Sequence, residues 1–120
     1  MKKELLILLF FPIIGLSQNP NYSEHIAPIM YDKCLKCHHN SGIAPLSLET
    51  YANTVANAGM IQHVTCTGEM PPWPPDTLFR NYAYENTLNL NEINTILDWI
   101  TNGSPIGDTA LLPTMPTFSN

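Results

Sequence analysis

Apolar residues return at helical spacing in three stretches of this chain. The sharpest lies toward the C-terminal end, where Ile93, Ile96, Leu97 and Ile100 form a stripe of the i, i+3, i+4, i+7 kind. Asn89, followed three residues later by Glu92, has the form of a capping box, and Gly103 with Pro105 just beyond supplies the stop. Trp99 lies beside the stripe. A first helix is expected over residues 21–34, with Asn21 or Ser23 as cap and Pro28 near the first turn, where proline is tolerated. On it Ile26, Ile29 and Met30 read as core and Lys33 as the polar exception; Tyr22 and Tyr31 take no assigned role. Residues 47–66 hold one or two helices, capped by Ser47 or, as second choice, Thr50, and divided at Gly59. Tyr51, Val55 and Ala56 are expected to share one face there, and Met60, Ile61 and Val64 another. No alternation of strand type intervenes, so the expected fold class is all-α, with three to five short helices.

The stretches between these helices are rich in turn residues. Residues 38–46 form a loop punctuated by Gly42 and Pro45. Residues 68–75 set Pro71, Pro72, Pro74 and Pro75 around Trp73, which rules out a helix and leaves a stiff, extended segment. Residues 76–87 read as irregular polar loop with Phe79, Tyr82 and Tyr84 turned inward and Arg80, the sole arginine, as an exposed charge. Residues 107–120 lack periodicity and read as a linker or tail from residue 109 onward.

The N-terminal end has a different character. Lys2 and Lys3 precede an apolar run over residues 5–14, then the small residues Gly15 and Ser17, which is the form of a secretory signal peptide cleaved after Ser17. The run is short for a membrane span, so no stable membrane insertion is expected after cleavage. Export implies a periplasmic or secreted protein. Loss of residues 1–17 removes Lys2, Lys3 and Glu4 and moves the formal net charge from -5 to -6. That acidity, with no basic patch, argues against nucleic acid and favours partners with a positive face. About 100 residues remain as one domain (18–108) plus the tail, a size at which a bound planar cofactor would usefully enlarge the core.

The chemistry concentrates in Cys34-Leu35-Lys36-Cys37-His38. Cys-x-x-Cys-His is the signature of covalent c-type haem attachment. Two thiols add to the two haem vinyl groups as thioethers, and a two-residue gap carries the chain about one helical turn, from one vinyl toward the other. His38 follows as the proximal iron ligand, its second ring nitrogen oriented by a backbone carbonyl of the 38–46 loop. His39 reads as a solvated neighbour. Met70, at the mouth of the proline-rich segment, carries a soft thioether and is the expected distal ligand, ahead of Met60, His63 and Met115.

Two other classes compete with this reading. Cys34-x-x-Cys37 with His63-x-x-Cys66 makes a pair of pairs at zinc spacing, which would give a zinc-stabilised interaction module. A haem peroxidase or gas sensor would need a labile Met70 and a polar distal group, for which His63 is the candidate. Cys66 otherwise reads as a free, partly buried thiol.

The runs Ile26-Ala27-Pro28-Ile29-Met30, Cys34-x-x-Cys37-His38, Ser41-Gly42-Ile43-Ala44-Pro45-Leu46-Ser47-Leu48, Met70-Pro71-Pro72-Trp73 and Leu88-x-x-x-Glu92-Ile93, with Trp99 and Gly103-x-Pro105, carry a family resemblance. Across residues 22–108 the chain resembles bacterial class I-type mono-haem cytochrome c domains. More narrowly, it is similar to those found ahead of copper type II, ascorbate-dependent monooxygenase-like domains. The resemblance implies a cytochrome c fold around one covalent haem c, with Cys34 and Cys37 as attachment points, His38 proximal and Met70 distal. It implies an electron carrier, not itself an enzyme, that serves a redox partner protein or a fused redox domain. Cys66 departs from the pattern. Residues 111–118 resemble the linker into a following domain in such proteins, which would make the chain part of a longer one.

Overall fold

A computed structural model describes residues 19–72 and 86–118. Among these the chain is all-α. A continuous helical run, α1 (residues 22–34), is followed by α2 (Tyr51–Ala56), α3 (Ala58–Cys66) and α4 (Leu90–Thr101), with a single 3-10 turn at Thr109–Leu111. The signal-peptide segment and the proline-rich and polar stretch with Trp73, Phe79, Arg80, Tyr82 and Tyr84 lie outside the described residues.

The start of α1 is fixed because every early amide finds a partner. The amides of Tyr22 and Ser23 donate to the carbonyls of Pro105 and Ile106 at 2.9 and 3.0 Å. The Glu24 amide donates to the Asn21 side chain at 2.9 Å, which makes Asn21 the cap. Pro28 therefore falls two turns into the helix and not in its first turn. A proline there lacks a donor and crowds the carbonyl four residues back. The helix responds with wide turns on both sides. The Ile26 amide reaches back five residues to Asn21 and the Leu35 amide five residues to Met30, while only Ala27–Ile29 keeps α geometry.

The core sits where α1 crosses α4. Ile26, Ala27 and Met30 of α1 are fully buried against Ile96 and Trp99 of α4. Tyr22 is a core residue too. Its ring lies 6.1 Å from that of Trp99 and meets Tyr51 edge-on at 5.3 Å. Trp99, the largest fully buried side chain, donates from Nε1 to the Pro105 carbonyl at 3.0 Å, so its polar edge is satisfied inside the core. That same carbonyl accepts from Tyr22, which ties the end of α4 to the beginning of α1.

The α4 termini follow the sequence pattern. Asn89 accepts from the Glu92 amide at 2.9 Å and its own amide donates to the Glu92 carboxylate at 2.8 Å, completing the capping box. At the other end Gly103 takes φ 86°. The Gly103 and Ser104 amides return to the carbonyls of Ile100 and Trp99 at 3.1 and 2.9 Å. The middle of the chain differs in detail. Thr50, not Ser47, caps α2, since the Thr50 side chain accepts from the Asn53 amide at 3.1 Å while Ser47 is engaged by Glu49. The break between α2 and α3 falls at Asn57, not at Gly59. Of the expected faces, Tyr51 and Ile61 turn inward, whereas Val55, Ala56 and Met60 are exposed.

The chain after α4 runs back along α1. The Thr109–Leu111 turn packs on the first turns of α1, and Phe118 packs against the core.

Replacing Asn89 by Ala removes the α4 cap and is expected to lower unfolding stability by about 1 kcal/mol, read from chemical denaturation midpoints; an unchanged midpoint would contradict the capping role.

Candidate functional site

α1 ends at Cys34, and the turn that follows it carries Cys37 and leads into His38. The Cys34 carbonyl accepts the amides of both Cys37 and His38, at 3.2 and 2.9 Å, so one acceptor fixes the turn that separates the sulfurs and starts the imidazole. Leu35, between the cysteines, is fully buried and anchors that turn in the core; Lys36 faces water. Nothing in the spacing marked Leu35 as an anchor, because its neighbours are polar. Both thiols are free and half-buried. The carbonyl at the end of α1, on Lys33, accepts from the Asn86 side chain at 2.7 Å, which draws the approach to α4 against this turn.

His38 leads into a loop that folds back on it. The ring Nδ1 lies 3.1 Å from the Leu46 carbonyl. A carbonyl only accepts, so Nδ1 carries the proton and Nε2 keeps its lone pair. Two backbone bonds hold Leu46 in place: Ala44 donates to the Cys37 carbonyl at 3.0 Å and Leu48 to the His38 carbonyl at 2.8 Å. The Gly42 amide donates to the His39 carbonyl at 2.8 Å, and a β-carbon at Gly42 would collide with the carbonyls of Cys37 and His39. The loop can close this tightly only around glycine. Asn40 donates to the Glu49 carboxylate at 2.9 Å, as does Ser47 at 2.8 Å. His39 is not simply solvated: its ring stacks on Phe118, with centroids 4.0 Å apart and planes 6° from parallel.

Met70 stands just past α3, its amide bonded to the Val64 carbonyl at 3.0 Å. It is 37% exposed and lines a small, largely apolar cavity of about 80 Å³ together with Pro71, Leu88 and Ile93. His38 does not line this cavity. The first turns of α4 connect the two groups of residues, since Ile93 walls the Met70 cavity and the carboxylate of its neighbour Glu92 acts on Cys34. Met60 and Met115 are exposed to 60% and 39%, and His63 is exposed on α3.

Burial pushes the Cys34 thiol up to about 12, and the Glu92 carboxylate adds in the same direction. This is the reverse of what a reactive dithiol needs, since such sites depress a thiol to make thiolate. Zinc also takes thiolate. A thioether is uncharged, and burial beside a carboxylate costs it nothing of that kind. The four residues of the zinc alternative, Cys34, Cys37, His63 and Cys66, do not assemble; among the described residues no three His, Cys, Asp or Glu side chains gather to hold a metal ion. Cys66 is exposed, not partly buried.

In the folded chain with its three thiols free, iodoacetamide is expected to alkylate Cys66 before Cys34. The thiolate is the nucleophile, so the rate at Cys34 should keep climbing from pH 9 to about 12. Peptide mass mapping of the three cysteines checks the order, and a Cys34 rate that levels off near pH 9 would contradict the shift. No family model, curated protein or solved structure matches the chain, and the chemistry of the site is carried by its own residues.

Proposed function

We propose that this is an electron-transfer domain of the cytochrome c type, with one haem c bound through Cys34 and Cys37 and its iron ligated by His38 and Met70. The observation that carries the reading is the His38 ring. It hangs directly behind two free thiols in a Cys-x-x-Cys turn, with Nδ1 committed to the Leu46 carbonyl and Nε2 left as a donor.

Each residue has a defined task. Cys34 and Cys37 would hold the haem, each S–H adding across one vinyl group, sulfur to one carbon and hydrogen to the other, with no net redox change. The Leu46 carbonyl fixes the tautomer and plane of His38 and raises its basicity as a ligand. Met70 offers a soft, weakly donating sulfur from a segment stiffened by Pro71 and Pro72. Leu88, Ile93 and Pro71 supply an apolar wall beside Met70. The haem, when bound, cycles between ferric and ferrous iron and so accepts and gives up one electron. His38 and Met70 would both be spent on holding the iron, which would leave no place for a substrate, and the domain would serve as a carrier and not as an enzyme. His63, which a peroxidase or gas-sensing site would call on, is exposed on α3.

The formal charge, -5 for the whole chain and -6 once residues 1–17 are removed, fits a redox partner with a basic face, either a separate protein or a fused domain. Export to the periplasm or beyond is part of the same proposal, since covalent haem attachment in bacteria takes place outside the cytoplasm.

Expression in a host that exports and matures c-type cytochromes tests this directly. The expected product is red, keeps its haem through denaturation in mass spectrometry, and in the oxidised form has the far-red charge-transfer band of sulfur ligation. Met70→Ala is expected to abolish that band while the haem stays attached. A band that survives the substitution would remove Met70 from the iron, and a colourless product would sink the proposal as a whole.

A further inference from the structure

His39 and Phe118 are separated by almost eighty residues yet stack face to face, with centroids 4.0 Å apart and planes 6° from parallel. His39 is the residue next to the proposed iron ligand. Phe118 also packs against the core, so it joins the core to the first residue of the loop that folds over His38. The path from His39 to the His38 ring is short. The His39 carbonyl accepts from Gly42 at 2.8 Å, the Cys37 carbonyl from Ala44 at 3.0 Å, the His38 carbonyl from Leu48 at 2.8 Å, and Leu46 between them presents its carbonyl to Nδ1 at 3.1 Å. Within the loop Leu48 is buried in the core and Leu46 packs against it, while Ser41, Ile43 and Pro45 are exposed. Ile43, at its tip, is 91% exposed and holds nothing in place. At the His39 end of the loop, among the described residues, the Phe118 ring stacks on His39, and next to it the Asn40 amide donates to the Glu49 carboxylate at 2.9 Å.

The geometry points to Phe118 as a positioning residue for His38, a clamp that holds the 38–48 loop so that the Leu46 carbonyl stays on the imidazole. This rests on the proposed haem ligation. The physical consequence follows from that bond. An imidazole that keeps an acceptor on Nδ1–H is the stronger donor through Nε2 and favours ferric iron. When the clamp is released the bond weakens, donation falls, and the midpoint potential rises.

The test uses the full chain with Phe118→Ala, His39→Ala and Phe118→Tyr. Hydrogen exchange is read at the Gly42, Ala44 and Leu48 amides, with the Ile96 amide in α4 as internal control. Equilibrium redox titration gives the midpoint potential. Both alanine variants are expected to exchange faster at the three loop amides but not at Ile96 and to shift the potential upward, while Phe118→Tyr keeps the parent values. Unchanged exchange at all three loop amides would overturn the clamp. Faster loop exchange with an unmoved potential would overturn the positioning of His38. If the parent chain carries no haem, the proposed function fails on that ground, and the exchange comparison still decides whether Phe118 holds the loop.

Discussion

One hydrogen bond, from the His38 ring to the Leu46 carbonyl, gives the candidate site its chemistry. An imidazole at the end of a helix is free to rotate and to carry its proton on either nitrogen. Fixing Nδ1 against an acceptor removes both freedoms and leaves one lone pair facing outward. The neighbouring bonds serve this one. The Cys34 carbonyl holds the turn, the amides of Ala44 and Leu48 hold the two sides of Leu46, and the missing side chain at Gly42 lets the backbone come close enough.

The loop in turn needs a rigid base, which the crossing of α1 and α4 provides. Trp99, Ile96, Ile26 and Met30 make the contact by shape and burial. The Pro105 carbonyl then fastens it by accepting from the Trp99 indole and from the first amide of α1. The opening turns of α4 reach both Met70 and Cys34, because Ile93 walls the Met70 cavity and Glu92 acts on Cys34.

Much of this could be read in the sequence because it is local. The stripe over Ile93 to Ile100, the Asn89 and Glu92 cap, the Gly103 stop and the helix ending at Cys34 all depend on residues within one or two turns of each other. So did the expectation that a loop carbonyl would meet the His38 ring, although which one depended on how the loop closes. What escaped was set by distant parts of the chain. Trp99 is a core residue whose indole finds its acceptor in Pro105, and Tyr22 packs between Trp99 and Tyr51; no spacing rule reports either. His39 looked solvated because its partner is Phe118, far along the chain. Pro28 was expected near the first turn, whereas the helix begins at Asn21, one of the two expected caps, and widens to hold the proline two turns in. The pairing of two cysteine motifs at zinc spacing failed for a related reason: sequence spacing counts ligands without saying which way a fold turns them.

The state of the His38 ring tests the central claim most directly. In the reduced, diamagnetic protein labelled with nitrogen-15, the proposed site predicts a proton on Nδ1, with coupling across the hydrogen bond to the Leu46 carbonyl carbon, and an unprotonated Nε2 bound to iron. A proton on Nε2, or iron bound through Nδ1, would contradict it.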